Sequence, residues 1–416
     1  MKHKYLLIVE SSSKCASIEK YLGPEYRCIA SNGHIRILAD GLNSIDTKNN
    51  YQPCYTVDPE KKAHVQKMAS IISDFAKSNV IIATDNDREG EAIGWHICQV
   101  FDLPIETTRR IVFCEITKKA IQEAVVKPSI LNMNLVNAAV ARQVLDVLVG
   151  YKVSPLLWKY VAHGSGLSAG RCQTPALRLV YENDAEHDVN ETVKYKVQGC
   201  FFPPHNVMLT LERTSGSAES AFDEESAMVE FLNASATFKH TFELGVVRKS
   251  ERAPPKPLNT SAILQLASNV LKMGAKETMA CCQTLYQLGH ITYMRTDNRT
   301  YSPEFIKTAS KYISDNWSER HVNHAMPVNT DASNPHEAIR VTNILLKDIV
   351  IVDKDGSNNR LEKLYKLIWT NTVQSCMAPA IINVLPISVN APFDNVYKGN
   401  VEVPQFLGYK IVEAKG

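Results

Sequence analysis

The chain opens on an unbroken apolar run, "YLLIVE", with no alternating polar position, the pattern of a strand buried on both faces. Behind it "SKCASIEKYLG" has a helical apolar pattern, with Ser11 to Ser13 as caps and Gly23 as the stop. "YRCIAS" and "NVIIATD" read as further short strands. "REGEAIGWHICQVF" reads as a helix with Ala92, Ile93, Ile97 and Val100 on one side. "RRIVFCEI" predicts another strand, and Thr117 opens a helix through Val126 that ends before Pro128. Strands alternating with helices predict a mostly parallel α/β sheet. Ligands of such sheets sit beyond the carboxyl ends of the strands, and Glu10 and Asp85 both fall at such ends.

From about Leu131 the pattern changes to a long helix, "NLVNAAVARQVLDVLVGYK", then the Gly/Ser loop "AHGSGLSAGR" and a second helix through Val180. After the acidic stretch "YENDAEHDVNE", the runs "TVKYKVQGCFF", "VMLTLE" and "ATFKHTFELGVV" predict β structure with little helix between them. "APPKP" is a stiff linker. Helices are expected over 260–271, 275–288, 303–313 and 361–377, and two strand-like runs, "AIINVLPISVN" and "QFLGYKIVE", close the chain. The β segments on either side of the helical block are positioned to pair into one domain that the block interrupts. The expected fold class is therefore multidomain, α/β plus α plus β.

Composition adds limits. The chain has 416 residues, 44% hydrophobic and 22% charged, ordinary for a globular protein with sizeable cores. No apolar run reaches the length of a membrane helix, and "YLLIVE" is too short for a secretory segment, so an intracellular, soluble protein is expected. The 10 cysteines show no CxxC pair or zinc-module spacing and are expected to be reduced thiols. A net charge of +2 does not announce a nucleic-acid partner for the whole molecule. Locally, Arg142, Lys152, Lys159, Arg171 and Arg178 face a single acid, Asp146, between 140 and 180. On charge alone this is a solvated helical face.

Two stretches carry chemistry. In "ATDNDREGEAIGWH", Asp85, Asp87 and Glu89 alternate just past a strand, an oxygen-rich set suited to Mg²⁺. Acids decorating a helix N-terminus are the plainer account of such a run. Glu10, on a neighbouring strand, would make the cluster costly in like charge unless a cation holds it. In "TYMRTDN", Tyr293 and Arg295 would share one face of a strand, either as a buried pair or as a nucleophile with a cation to meet its charge.

"LIVESSSKCASIEKYLG" with "IIATDNDREGEAIGWH" resembles the Toprim domain of type IA topoisomerases, primases and some nucleases. "ARQVLDVLVGYKVSPLLW", "GLSAGRCQTPALRLV", "LYQLGHITYMRTDN", "HEAIRVT" and "LYKLIWTNTVQSCMAPA" resemble segments of the type IA DNA topoisomerases, in that family's order, so the resemblance spans residues 5 to about 411. It implies ATP-independent cutting of one DNA strand through a 5′-phosphotyrosyl bond, strand passage and rejoining, which relaxes negatively supercoiled DNA with Mg²⁺ as cofactor. No GxxxxGK[ST] motif is present, consistent with the absence of a nucleotide cofactor. By the resemblance, Tyr293 is the nucleophile, Arg295 and His336 contact the scissile phosphate, Glu10 moves the proton of the leaving 3′ oxygen, and Lys14 supports the transition state. Asp85, Asp87 and Glu89, with Glu10, would hold the metal, and Arg142, Arg171 and Gln173 would bind a single-stranded DNA segment. A monomer without membrane contact, in a DNA-containing compartment, is expected.

The implied shape is a torus divided as 1–130 (Toprim), 131–190 (helical, DNA-binding), 191–253 and 378–416 (β arch) and 254–377 (helical, carrying the tyrosine). The sequence departs from the family pattern at Ala16, where a second lysine is usual, at Ile37 in place of an acid, at Asn298 for serine and at Val341 for proline. A further block usual in the family after the second β segment, and the zinc-ribbon tails of some members, do not follow within the 416 residues. Relative to the usual catalytic core the chain is therefore read as C-terminally truncated. Alternatives are a core limited to cleavage and religation, or to single-strand binding, and a Toprim nuclease without a covalent step.

Overall fold

The computed structural model describes residues 3–161, 166–187, 193–203, 206–213, 221–326, 328–329, 336–351 and 359–414. Parts of the expected Gly/Ser loop (162–165) and acidic stretch (188–191), and Pro335 of the "PHEAIRVT" run, lie outside them. The chain divides into two compact units: 1–181 with 257–303 and 327–372, and 182–256 with 304–326 and 373–416.

In the first unit four parallel strands, β1 (Tyr5–Val9), β2 (Tyr26–Ala30), β3 (Val80–Ala83) and β4 (Arg109–Arg110), form a sheet in the order β2-β1-β3-β4. Leu6, Leu7, Ile8 and Val9 are all fully buried, each worth about 1.5–3 kcal/mol. Helices α1 (Cys15–Leu22), α2 (Lys62–Ile72), α3 (Arg88–Val100) and α4 (Lys118–Val126) connect and cover the strands. The core joins Leu6, Ile8 and Ile82 to Met68 of α2 and to Ile93 and Ile97 of α3. As its sequence suggests, α4 is capped by Thr117, whose hydroxyl accepts from the Ala120 amide. The expected strand "RRIVFCEI" is only two residues long. The Ile111 amide makes a last bond to the Ile82 carbonyl at 2.9 Å, and the chain then turns away.

Helix α5 (Met133–Tyr160) runs through Pro155, and α6 (Gln173–His187) continues past Val180, where the helix was expected to end, into the acidic stretch. Helices α7 (Thr260–Leu271) and α8 (Ala275–Gln287) precede the tyrosine run. That run is extended but is not a strand: Ile291 bridges Val341, the Thr292 amide donates to the Arg340 carbonyl and the Tyr293 amide to the Cys114 carbonyl.

In the second unit, Val207–Glu212 pairs with Val396–Phe406, which pairs with Ala380–Asn390, and the latter also takes Phe242–Leu244 and Arg248–Arg252. Strands from both sides of the helical block thus share one antiparallel sheet. Two expectations fail here. Glu225–Thr237 is a helix where little was expected; Phe231 is its one buried residue, so its apolar periodicity is weak. "QFLGYKIVE" ends the last strand at Phe406 and becomes a 3₁₀ turn, Gly408–Val412. Gly408 sits at φ 52° with the Pro379 carbonyl 2.3 Å from where a Cβ would stand, so the chain turns where no side chain fits.

Candidate active site

Strands β1 and β3 are direct neighbours, with Val9 opposite Ala83. From β1 the chain goes outward to β2 on one side and returns to β3 on the other, so their carboxyl ends mark the point where strand order reverses. This is the crevice in which open α/β sheets bind ligands. Glu10 follows β1 and Thr84 to Asp87 follow β3, which brings the expected acids together.

The turn after β3 is pinned from beneath. Arg110, fully buried at the end of β4, donates to Glu91 Oε1 at 2.7 Å, to the Thr84 carbonyl and hydroxyl at 3.1 and 3.0 Å, and to the Asp85 carbonyl at 2.9 Å. The other Glu91 oxygen accepts from the Asn132 amide at 3.1 Å, just ahead of α5. Gly90 lets α3 begin against this turn, because a Cβ there would stand 2.1 Å from the Asp85 carbonyl oxygen. Asp87 caps α3, its Oδ1 accepting from the Gly90 amide at 2.7 Å.

Three of the four acids each meet a different cation. Lys14, fully buried, donates to buried Asp85. Asp87 Oδ2 accepts a hydrogen bond from the Tyr293 hydroxyl and lies 3.5 Å from Arg295 Nη1. Glu89 turns elsewhere, to His34 Nε2 at 3.3 Å and Arg142 Nη1 at 3.4 Å. Of the four acids expected to share one ion, Glu89 therefore stands apart from the other three, and among the described residues no three of His, Cys, Asp and Glu form a ready metal site. The like charge is offset by the protein's own Lys14, Arg295 and Arg142. Glu10, Asp85 and Asp87 nonetheless feel one another: burial and then the Asp85 charge push the Glu10 carboxyl above its ordinary range. An oxygen-only donor set with one carboxyl already strained by its neighbour fits Mg²⁺ in chemistry. Glu89 does not share that strain; the His34 hydrogen bond holds its pKa below the usual range.

The tyrosine run reaches the same edge. Tyr293 is buried, and burial followed by the Asp87 charge pushes its phenol well above the ordinary value, with Arg295 opposing. In this arrangement it is held as the neutral phenol. The His336 ring stacks on Tyr293 with centroids 6.0 Å apart, and burial lowers its pKa below the ordinary histidine value, with the Asp87 charge opposing. Asn298 donates to the His336 carbonyl at 2.5 Å and accepts from the Thr300 amide at 2.9 Å. The pairing of Tyr293 with Arg295 survives without the strand that suggested it, because both side chains meet on Asp87.

The basic segment extends the site. Asp146 accepts from Arg171 Nε at 3.0 Å and lies 3.9 Å from Arg142 Nε, so a chain of charge runs from Glu89 through Arg142 and Asp146 to Arg171. Gln173, at the start of α6, donates to Ser168 at 2.9 Å. A 170 Å³ cavity opens beside them, lined by His34, Tyr55, Glu89, His96, Arg142 and Gln143 among others. Sequence reasoning missed His34, Arg110 and Tyr286. His34 alone left a signal, following β2 at the same sheet edge as the acids.

The first part of the chain, 5–116, matches the Toprim domain model, and 130–415 match the model of the DNA topoisomerase family. The structure is similar to full-length topoisomerase I from Thermotoga maritima, with a TM-score of 0.80 and 31% identity over 99% of this chain and 68% of that one. No described helix is long and apolar enough to cross a membrane. A Toprim crevice that receives a tyrosine, a basic helical segment beside it, and matches covering nearly the whole chain lead to one conclusion: the protein belongs to the type IA DNA topoisomerases, which cleave and rejoin DNA.

Proposed function

We propose that this chain cuts a single-stranded segment of negatively supercoiled DNA through a 5′-phosphotyrosyl bond to Tyr293, passes a strand and rejoins the break, without a nucleotide cofactor. The observation that carries the reading is the Tyr293 hydroxyl hydrogen-bonded to Asp87, beside Glu10, Asp85 and Lys14. In the forward step the Tyr293 oxygen bonds to phosphorus and the 3′ oxygen leaves. The phenol proton passes to Asp87, its hydrogen-bond acceptor. Glu10 protonates the departing 3′ oxygen, a task its raised pKa suits. Arg295, His336 and Lys14 meet the phosphate charge, and religation runs the same path backwards. One phosphodiester replaces another, so the bond energy is retained.

Asp85, Asp87 and, once it has given up its proton, Glu10 would hold Mg²⁺, with Glu89 as an outer contributor once freed from His34 and Arg142. Bound there, the ion supplies positive charge to the carboxylates and the phosphate. Arg142, Arg171 and Gln173 bind the DNA strand. The toroidal arrangement, the five-segment division, a monomeric state and a DNA-containing intracellular compartment belong to the same proposal.

The test uses a 3′-end-labelled single-stranded oligonucleotide, denatured during reaction. The label should become attached to protein, and Tyr293→Phe should abolish this. Normal cutting by Tyr293→Phe would instead favour a Toprim nuclease.

A further inference from the structure

Tyr286 lies in α8, seven residues before Tyr293, and is fully buried with no hydrogen-bond partner for its hydroxyl. The Lys14 ammonium sits over its ring, 4.9 Å from the centroid. The Tyr293 ring packs edge-on against the same ring, with centroids 5.3 Å apart and planes at 70°. Lys14 is itself fully buried, and among the described residues its ammonium donates only to Asp85. Its other two N–H donors have no hydrogen-bond acceptor among the described residues, and the side chain is out of reach of solvent in this arrangement. Besides the Glu10 carboxyl, whose pKa the Lys14 charge lowers, the negative face of the Tyr286 ring is the group placed to stabilise this cation.

We infer that Tyr286 is a positioning residue for strand cleavage and religation: its ring face holds the Lys14 ammonium against Asp85 while its edge contact fixes the Tyr293 ring. The inference rests on the roles given above to Lys14 and Tyr293. It separates the ring of Tyr286 from its hydroxyl. The hydroxyl has no partner to lose, whereas the ring contacts both Lys14 and Tyr293. The chain therefore uses two tyrosines packed edge to ring, Tyr293 for bond making and Tyr286 for keeping the neighbouring cation in place.

The experiment measures single-turnover cleavage and religation of a single-stranded oligonucleotide by the full chain carrying Tyr286→Leu, Tyr286→Phe, or 3,4,5-trifluorophenylalanine at 286. Leucine should slow both steps by about 30-fold, which at 1.36 kcal/mol per tenfold is about 2 kcal/mol, the worth of a desolvated cation–π contact. Phenylalanine should recover rates to within about threefold of the unaltered protein. The trifluoro ring has the same shape but a weakened negative face and should be at least fivefold slower than phenylalanine. In a Lys14→Met background, Tyr286→Leu should add less than threefold.

Phenylalanine as slow as leucine would make the hydroxyl the working group and overturn the inference. Equal rates for phenylalanine and its trifluoro form, or an undiminished 30-fold effect without Lys14, would do the same. If leucine does not fold, the isosteric pair of rings still decides. A Lys14→Met enzyme working at the unaltered rate would sink the role of Lys14 itself, an outcome separate from any behaviour of Tyr286.

Discussion

Replacing Arg110 by methionine should destabilise the first unit and weaken cleavage at the same time. Arg110 is fully buried and makes four hydrogen bonds, to Glu91 Oε1, the Thr84 carbonyl and hydroxyl, and the Asp85 carbonyl. Methionine fills much of the volume but leaves the Glu91 carboxylate, 5% exposed, with only the Asn132 amide. Breaking one side of a buried ion pair costs about 3–5 kcal/mol, chiefly the penalty of the stranded charge. For a unit of this size that is roughly 10 °C in the thermal midpoint. Scanning calorimetry checks the value. A second variant, Arg110→Met with Glu91→Gln, removes both charges while keeping an oxygen for the Asn132 amide, and should recover at least half of the loss. Oligonucleotide cleavage should also fall in the single variant, because the turn carrying Asp85 loses its anchor. A single variant within about 1 kcal/mol of the unaltered protein would refute the reasoning, as would a double variant whose loss is the sum of the two.

Two further outcomes follow from charge. Arg142→Ala and Arg171→Ala should each lower the salt dependence of single-strand binding by about 0.7 in the slope of log affinity against log salt, one phosphate contact apiece; unchanged slopes would remove both from the DNA path. Because burial and Asp85 raise the Glu10 pKa, the folded chain binds that proton more tightly than the unfolded one. Stability is then lost as pH rises from the unfolded value through the raised folded one. Without divalent cation, Glu10→Gln should match the unaltered protein at acid pH and melt higher at neutral pH, and a difference that does not vary with pH would contradict this.

The parts of this site that were legible in the sequence are those set by local pattern. The apolar run before Glu10 and the one before Asp85 place both acids at strand ends, and the parallel pairing of β1 with β3 then brings them together. Partner choice was not legible. Nothing in "DNDREGE" says that Asp87 meets Tyr293 while Glu89 turns to His34 and Arg142, since those contacts span 206, 55 and 53 residues. Arg110 looked like a strand residue because its work is done by a side chain that reaches past the strand to hold the next turn. Tyr286 gave no signal within its helix, and only the buried ammonium over its ring marks it out. The tyrosine run was read as a strand, yet it is held by single bridges and hydrogen bonds to other loops, which its own sequence does not encode.

The central claim is that Tyr293, and no other group, carries the DNA. Proteolysis of the denatured complex formed with a single-stranded oligonucleotide, trimmed to a short nucleotide remnant and mapped by mass spectrometry, reads this directly. The remnant should be linked through its 5′ phosphate to Tyr293 in the peptide containing "TYMRTDN". A remnant on any other residue, or free 5′-phosphate ends with no adduct, would contradict the account.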